Sequence, residues 1–228
     1  MKASSQKLYS ILMGLTLALF SNALSAIERP FEIERLGNFD SPWALEFLPD
    51  GRVLVSEMSG NLKLLDEGGR FLGNVSGVPK VAYGGQGGLG EIALHPNFER
   101  NNLIYISFAE TGEDNTYGAA IIRAKLNLSV DGGSLSSVET IWKQYPKVSG
   151  QGHFGHRITF DEAGYLWISS GERQKFDPAQ DMSSNLGKII RLNDDGSIPV
   201  DNPFFFGEGI TRELWSLGHR NPLGLAFD

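Results

Sequence analysis

The chain of 228 residues contains no cysteine. This absence excludes a disulfide scaffold, a thiolate zinc site and a cysteine nucleophile. Positive charge is also scarce, with 20 basic against 27 acidic side chains, and the net charge of −7 gives no general reason to expect a nucleic-acid partner. Hydrophobic residues make up 41% and charged residues 21%, a globular composition. Glycine is abundant, at 28 residues beside 10 prolines, which favours turns and short strands over long helices.

The N-terminus has the pattern of a secretory signal peptide. Lys2 and Lys7 precede an apolar run from Leu8 to Leu19, and small residues follow at 21–26. The run is shorter than the roughly 20 apolar residues that a membrane span needs. We therefore predict a signal peptide over residues 1–25, cleaved between 23 and 26, with an uncleaved anchor as the alternative. The mature protein is expected to be periplasmic or secreted, with no membrane span.

One phrase recurs along the chain. It runs from Ala44 to Glu57, returns from Ile92 to Ser107, appears a third time from Ile158 to Ser170, and begins again at Leu225. Each copy pairs two β-rich segments around a polar turn, which predicts a hairpin. Further strand-like segments at 61–65 and 187–192 bring each unit to about four strands.

Units of four strands at a repeat of roughly 40–50 residues or more predict an all-β fold, a β-propeller. A β-sandwich is the alternative, although it leaves the repeated phrase unexplained. We assign the domain to residues 26–228, with about three full blades and the first strand of a fourth. Because a propeller closes by its last blade meeting its first, we expect this domain to be incomplete and the sequence to be the front part of a longer protein.

Two glycine-rich loops precede repeated strands and carry polar side chains. Gly85, Gly87 and Gly90 spell the dinucleotide fingerprint, but they lead into a strand-like segment and not into the helix that this fingerprint requires. Gln86 is therefore interpreted as an exposed side chain on a backbone that a ligand can approach closely. His153 lies in the second loop, flanked by glycine, where it is either a general base or an ordinary loop histidine.

Arg220 occupies the equivalent loop before the fourth copy of the phrase. Equivalent loops of successive propeller blades meet at one end of the central channel, so we expect Gln86, His153 and Arg220 to converge. A guanidinium there suits carboxylates or quinone oxygens, and an inter-blade salt bridge is the alternative. His156, three positions after His153, could share a metal with it, but the sequence offers no third ligand nearby.

Several short motifs occur together in a fixed order from Pro42 to the last residue. They are Ser41–Ala44 with Leu48–Gly51, Gly85–Gly90 with His95–Phe98, His153–Gly155 with Arg157, Gly187–Lys188 with Arg191–Leu192, Asp195–Pro199 with Asp201–Pro203, and Gly218–Pro222. With these motifs the sequence resembles the soluble pyrroloquinoline-quinone (PQQ)-dependent sugar dehydrogenases, the glucose/sorbosone dehydrogenase family. Within that family it is most similar in style to the periplasmic aldose sugar dehydrogenases.

The resemblance implies a six-bladed propeller in the full-length protein, with PQQ across the channel mouth. It implies that His153 is the general base, that Gln86, Arg220 and Asn221 contact the cofactor, and that Gln86 also faces the sugar. It further implies oxidation of an aldose to a lactone, with electrons passing to an external quinone or cytochrome. The Ca²⁺ that accompanies the cofactor would have its ligands beyond residue 228 and none within this chain.

Two positions depart from the family pattern. Gly152 stands where relatives carry Asp or Asn, so a substrate or orienting contact is missing there. Arg173 stands where some relatives carry an amide, which makes it a candidate substrate contact. A calcium-dependent propeller lactonase and a non-catalytic propeller that binds a sugar or a protein remain the alternatives, and we expect the 228 residues alone to be inactive.

Overall fold

Strands dominate the fold. The computed structural model describes residues 30–227, so the signal peptide predicted over residues 1–25 lies outside the described residues. The strands are β1 Pro42–Phe47, β2 Val53–Glu57, β3 Leu62–Leu65, β4 Phe71–Ser76, β5 Leu89–Leu94, β6 Leu103–Thr111, β7 Thr116–Ser129, β8 Gly132–Lys143, β9 Val148–Ser149, β10 Gly155–Phe160, β11 Leu166–Ser170, β12 Lys188–Leu192 and β13 Leu214–Leu217. The helices are short: α1 at Phe98–Asn101 and two 3₁₀ helices at Asp177–Gln180 and Gly209–Glu213. Within residues 30–227, no helix is long and apolar enough to cross a membrane.

The strands form three consecutive four-stranded antiparallel units. Blade 1 is β1–β4, blade 2 is β5–β8 and blade 3 is β10–β13, each with its strands in chain order. The short strand β9 pairs with β7 at the end of blade 2. The predicted propeller is therefore confirmed, and each of the three complete copies of the repeated phrase forms the first hairpin of a blade. The innermost strands β1, β5 and β10 are neighbours along one wall.

The fourth copy of the phrase differs from the prediction. Residues 225–227 have no regular secondary structure. A strand requires a hydrogen-bonded partner, and none of the strands in residues 30–227 pairs with this segment.

Blade 2 is buried on both faces. Along β6, Ile104 and Ile106 enter a cluster with Leu54 and Leu64 of blade 1, whereas Tyr105 enters a cluster with residues of blade 3. Successive side chains of a strand point to opposite faces. The apolar side chains of β6 thus serve two cores, and each fully buried aliphatic side chain contributes about 1.5–3 kcal/mol.

Blades 1 and 2 also join at their outer edges. β4 and β8 pair in parallel, Val75 with Gly133 and Ser76 with Ser134. The edges approach closely because glycine stands on both: a Cβ at Gly73 would lie 1.9 Å from the carbonyl oxygen of Asp131. A larger residue at position 73 would force the two blades apart.

Candidate functional site

The loops that precede the inner strands meet at one end of the blades. The side-chain oxygen of Gln86 accepts a hydrogen bond from the backbone N–H of His153 at 2.8 Å. The side-chain oxygen of Asn221 accepts from the N–H of Gly155 at 3.0 Å, and the carbonyl of Arg220 accepts from the N–H of Glu172 at 2.8 Å. The structure therefore brings together the four predicted residues Gln86, His153, Arg220 and Asn221, although they are far apart in sequence.

The glycine loop before β5 is packed against the His153 loop. A Cβ at Gly84 would lie 2.3 Å from the side-chain oxygen of Gln151, and one at Gly85 would lie 2.5 Å from its carbonyl oxygen. In addition, the N–H of Gln86 donates to that same carbonyl at 2.8 Å. The close backbone approach that the glycines permit is thus made by the neighbouring loop, and it leaves the Gln86 residue exposed at the surface.

His153 is held by a carboxylate. Its Nδ1 contacts Oε1 of Glu172, whose side chain is buried. Burial by itself raises the pKa of Glu172, but the N–H of Phe176, the His153 ring and further loop N–H groups outweigh burial and hold this pKa below its ordinary value. An ionised carboxylate accepts a proton-bearing nitrogen, which assigns the ring proton to Nδ1. Nε2 is then left as the hydrogen-bond acceptor.

The backbone presents the His153 ring from an unusual conformation. The φ of His153 is 51°, in the left-handed region that residues other than glycine seldom adopt. The neighbouring carbonyls are held on both sides: the N–H of Arg173 donates to the His153 carbonyl at 3.2 Å, and the N–H of Gly171 donates to the Phe154 carbonyl at 3.1 Å. Such a fixed ring suits a group that must meet a substrate in one orientation.

Arg173 lies inside the protein, with 1% of its surface exposed. Its Nε donates to the carbonyl of Gly152 at 2.9 Å, and its terminal nitrogens contact the carbonyls of Gly150 and Tyr117. The guanidinium also stacks on Phe154, 3.7 Å from the ring centre. In this arrangement Arg173 clamps the His153 loop from behind. The sugar contact predicted for Arg173 stays a prediction. To contact a sugar, the guanidinium would have to give up some of these hydrogen bonds to carbonyls.

His156 lies in an apolar environment. Its ring stacks on Phe154 and meets the edge of Trp43. Neither ring nitrogen has a hydrogen-bond partner among residues 30–227. Burial, with a smaller contribution from the charge of Arg173, lowers the pKa of His156 to about 3. The structure thus separates the two histidines of this loop by environment, and nothing among the described residues brings three metal-ligating side chains together.

The polar groups at this end of the blades suit a quinone that bears carboxylates. Arg220 is exposed and forms no salt bridge with the described part of the chain. The inter-blade salt bridge that the sequence left as an alternative is therefore not seen among these residues. Its guanidinium can bind a carboxylate or a quinone oxygen, and the amides of Gln86 and Asn221 add neutral donors beside it. The donor set therefore fits the implied cofactor. These side chains supply no carboxylate for the accompanying calcium ion.

A separate cavity of about 490 Å³ opens on the wall formed by the three inner strands. Glu46, Glu91 and Arg157 line it, and Arg157 forms a salt bridge with Glu91. Burial, opposed by the backbone of Leu94 and reinforced by the charge of Glu91, raises the pKa of Glu46 to about 7. None of the four converging residues lines this cavity, so it is separate from the His153 site.

Glu172 is the residue of the candidate site that sequence reasoning missed. In the segment Gly171–Arg173 the sequence pattern indicates only Arg173, because a single glutamate after a strand is common on protein surfaces. The available signal was positional: Glu172 follows β11, the strand that pairs with β10, and β10 begins directly after the His153 loop. A residue there reaches the ring of His153.

The fold and the site together define the class: a β-propeller with a carboxylate-bound imidazole among amide and guanidinium groups at the end of its inner strands. Residues 39–228 match the family model described as Glucose / Sorbosone dehydrogenase. The chain belongs to the glucose/sorbosone dehydrogenase family.

Individual relatives agree with this assignment. The chain is 40% identical over 214 residues to aldose sugar dehydrogenase YliI of Escherichia coli, covering 93% of this chain and 57% of that protein. It is 30% identical to quinoprotein glucose dehydrogenase B of Acinetobacter calcoaceticus, covering 84% of this chain and 45% of that protein.

Solved structures agree as well. The apo-form of the soluble aldose sugar dehydrogenase of E. coli has a TM-score of 0.79 at 39% identity, covering 83% of this chain and 55% of that one. The PQQ-bound aldose sugar dehydrogenase of Streptomyces coelicolor has a TM-score of 0.67 at 32% identity, covering 81% and 52%. The chain therefore spans about half the length of these relatives.

Proposed function

We propose that this chain is part of a PQQ-dependent enzyme that oxidises the anomeric carbon of aldose sugars to lactones. The observation that carries the proposal is the buried contact between His153 Nδ1 and the Glu172 carboxylate, beside the exposed amide of Gln86. The PQQ-bound relative from S. coelicolor supports the cofactor, and the aldose sugar dehydrogenase of E. coli supports the substrate class.

His153 is the general base of the proposed reaction. The ring proton stays on Nδ1, which donates it in a hydrogen bond to Glu172. Nε2 then takes the proton of the anomeric hydroxyl, and the carboxylate stabilises the imidazolium that forms. Bound PQQ would supply the acceptor for the hydride of the anomeric carbon, so that the sugar would lose one proton and one hydride and become the lactone.

Gln86, Arg220 and Asn221 would hold the cofactor. The guanidinium of Arg220 would neutralise negative charge on the bound group. Hydrogen bonds from the His153 loop hold the amide oxygens of Gln86 and Asn221, which leaves the NH₂ groups of the two amides as donors to the cofactor. We propose that the calcium ligands lie beyond residue 228, in the part of the protein that corresponds to the remaining length of its relatives. The proposed location is periplasmic or secreted, and the electron acceptor is an external quinone or cytochrome.

Reconstitution tests the proposal. The full-length protein is expressed with and without His153→Ala, loaded with PQQ and Ca²⁺, and assayed by dye reduction with a panel of aldoses. We expect turnover in the native protein and a loss of about 10²–10⁴-fold in His153→Ala, because a positioned general base contributes about that much. Bound PQQ, followed by its absorbance, should be retained.

His95→Gln is the matched control. His95 lies in the connection between β5 and β6 of blade 2, where its Nε2 is 3.3 Å from Asp194 of blade 3, and it has no place in the proposed reaction. Its replacement should leave turnover near the native rate. A folded protein that binds no PQQ and reduces no dye would overturn the dehydrogenase assignment and favour a lactonase or a binding propeller.

A further inference from the structure

The space above Gly152, the residue before His153, is occupied by another side chain. A Cβ at Gly152 would lie 2.5 Å from Oε1, 2.6 Å from Cδ and 2.9 Å from Nε2 of Gln174. Gly152 is not among the residues with positive φ, so its backbone would accept a side chain. The end of the Gln174 side chain therefore lies over Gly152, and a side chain at position 152 would have to displace it.

Gln174 is held there by a strained loop. Arg173, Gln174 and Phe176 all have positive φ, of 60°, 59° and 62°. Three such residues close together are costly for side chains with a Cβ, and the surrounding structure must compensate. The loop is fixed on one side by Arg173, whose Nε donates to the Gly152 carbonyl at 2.9 Å, and on the other by Phe176, whose N–H donates to Glu172 at 2.6 Å.

The anchors of this loop are buried, but Gln174 itself is exposed. Arg173 and Glu172 each have 1% of their surface exposed, whereas Gln174 is exposed to solvent. Strain is commonly retained where it presents a group for function. Here it presents a carboxamide, which has two donors and an acceptor, against the residue that precedes His153.

We infer that Gln174 is a substrate-binding residue of this site, and that its carboxamide recognises a sugar hydroxyl from the place that a side chain at position 152 would otherwise fill. This inference rests on the proposed function, because it takes the substrate to be a sugar whose anomeric hydroxyl faces His153. A carboxamide can accept from one hydroxyl while donating to another, and the loop that wraps Glu172 sets the backbone position from which this side chain extends.

Kinetics of the loaded full-length enzyme test the contact with substrate. In Gln174→Ala we expect KM for aldoses to rise about fivefold to tenfold, as for one lost hydrogen bond, while kcat stays within about threefold. Single-deoxy glucoses identify the hydroxyl: the native enzyme should discriminate against one of them, and the variant should lose that discrimination. Gln180→Ala, at an exposed glutamine of the following 3₁₀ helix, is the matched control and should change neither constant.

Thermal unfolding of the cofactor-free protein tests the packing independently of activity. Gly152→Asn should lower the Tm measurably more in the native background than in a Gln174→Gly background, because in the native protein the new side chain has to displace the carboxamide of Gln174. An equal drop in both backgrounds would overturn the inference, as would an unchanged KM profile in an active Gln174→Ala enzyme. If the native protein itself turns over no aldose, the proposed function fails and the inference fails with it.

Discussion

His153 and His156 belong to the same loop and strand start, yet the structure gives them opposite environments. His153 contacts a buried carboxylate through Nδ1. His156 lies among the rings of Trp43 and Phe154, with no hydrogen-bond partner for either nitrogen in residues 30–227. The sequence favours His153 through its flanking glycine and the family resemblance, but it shows a partner for neither ring. The partner supplied by the adjacent strand end decides which imidazole can act as a base and which is a neutral core side chain.

The largest effect that sharpens this comparison is expected from Glu172→Gln. The substitution keeps the shape of the side chain but removes the charge that stabilises the His153 imidazolium, and the amide can also donate and so favour the wrong ring tautomer. We expect kcat of the reconstituted full-length enzyme to fall by about 10²-fold or more, measured by dye reduction.

Glu113→Gln is the control for this experiment, since it makes the same change at an exposed glutamate. Native turnover in Glu172→Gln would show that His153 needs no carboxylate, and the contrast between the two histidines would lose its functional meaning.

A smaller effect is expected from Arg173→Met, which changes the environment of both histidines. The variant loses hydrogen bonds to buried carbonyls and the stacking on Phe154, at a cost of about 2–4 kcal/mol in the free energy of unfolding. For a domain of this size, that corresponds to a drop in Tm of roughly 5–15 °C, which calorimetry measures.

Arg100→Met, at an exposed arginine in the last turn of α1, should leave the Tm nearly unchanged. If instead Arg173→Met kept its Tm and raised only the KM for sugars, the substrate role predicted from sequence would be supported over the clamp.

The smallest effect is expected from His156→Phe, and it depends on pH. The pKa of His156 falls from 6.5 to about 3 on folding, so between these values the unfolded chain binds more protons than the folded one. Stability is therefore retained above about pH 6.5 and is lost as the pH falls, by up to ~1.4 kcal/mol per pH unit.

His156→Phe should flatten this dependence. Urea unfolding of the native protein and the variant at pH 7.5 and pH 5 measures the difference. His219, whose pKa is also lowered by burial, remains in both proteins and contributes the same residual slope to each. Identical slopes in the two proteins would mean that His156 is protonated in the fold.

The parts of the fold and site that follow from sequence are those that repetition encodes. The three hairpins were predictable because their turns and apolar alternation recur, and the convergence of Gln86, His153 and Arg220 follows once their loops are placed at equivalent positions of successive blades. The fourth copy shows the limit of this reasoning. Its residues match the pattern, but no strand among residues 30–227 pairs with them.

The parts that sequence could not supply are contacts between loops that are separated in the chain. Arginine is seldom buried, so nothing predicted that Arg173 would lie behind the His153 loop. The sequence shows that position 152 lacks a side chain, but only the structure shows that the side chain of Gln174 lies over it. Such contacts depend on loop conformations with left-handed residues, and local residue preferences argue against those conformations.

The parallel pairing of β4 with β8 has a consequence for self-association. Exposed strand edges are templates for pairing with another molecule, and antiparallel blades usually leave one such edge each. At Val75 and Ser76, blades 1 and 2 instead saturate part of each other's outer edges. The small residues that permit this approach, Gly73 above all, thereby act as protection against intermolecular sheet growth on this side of the molecule.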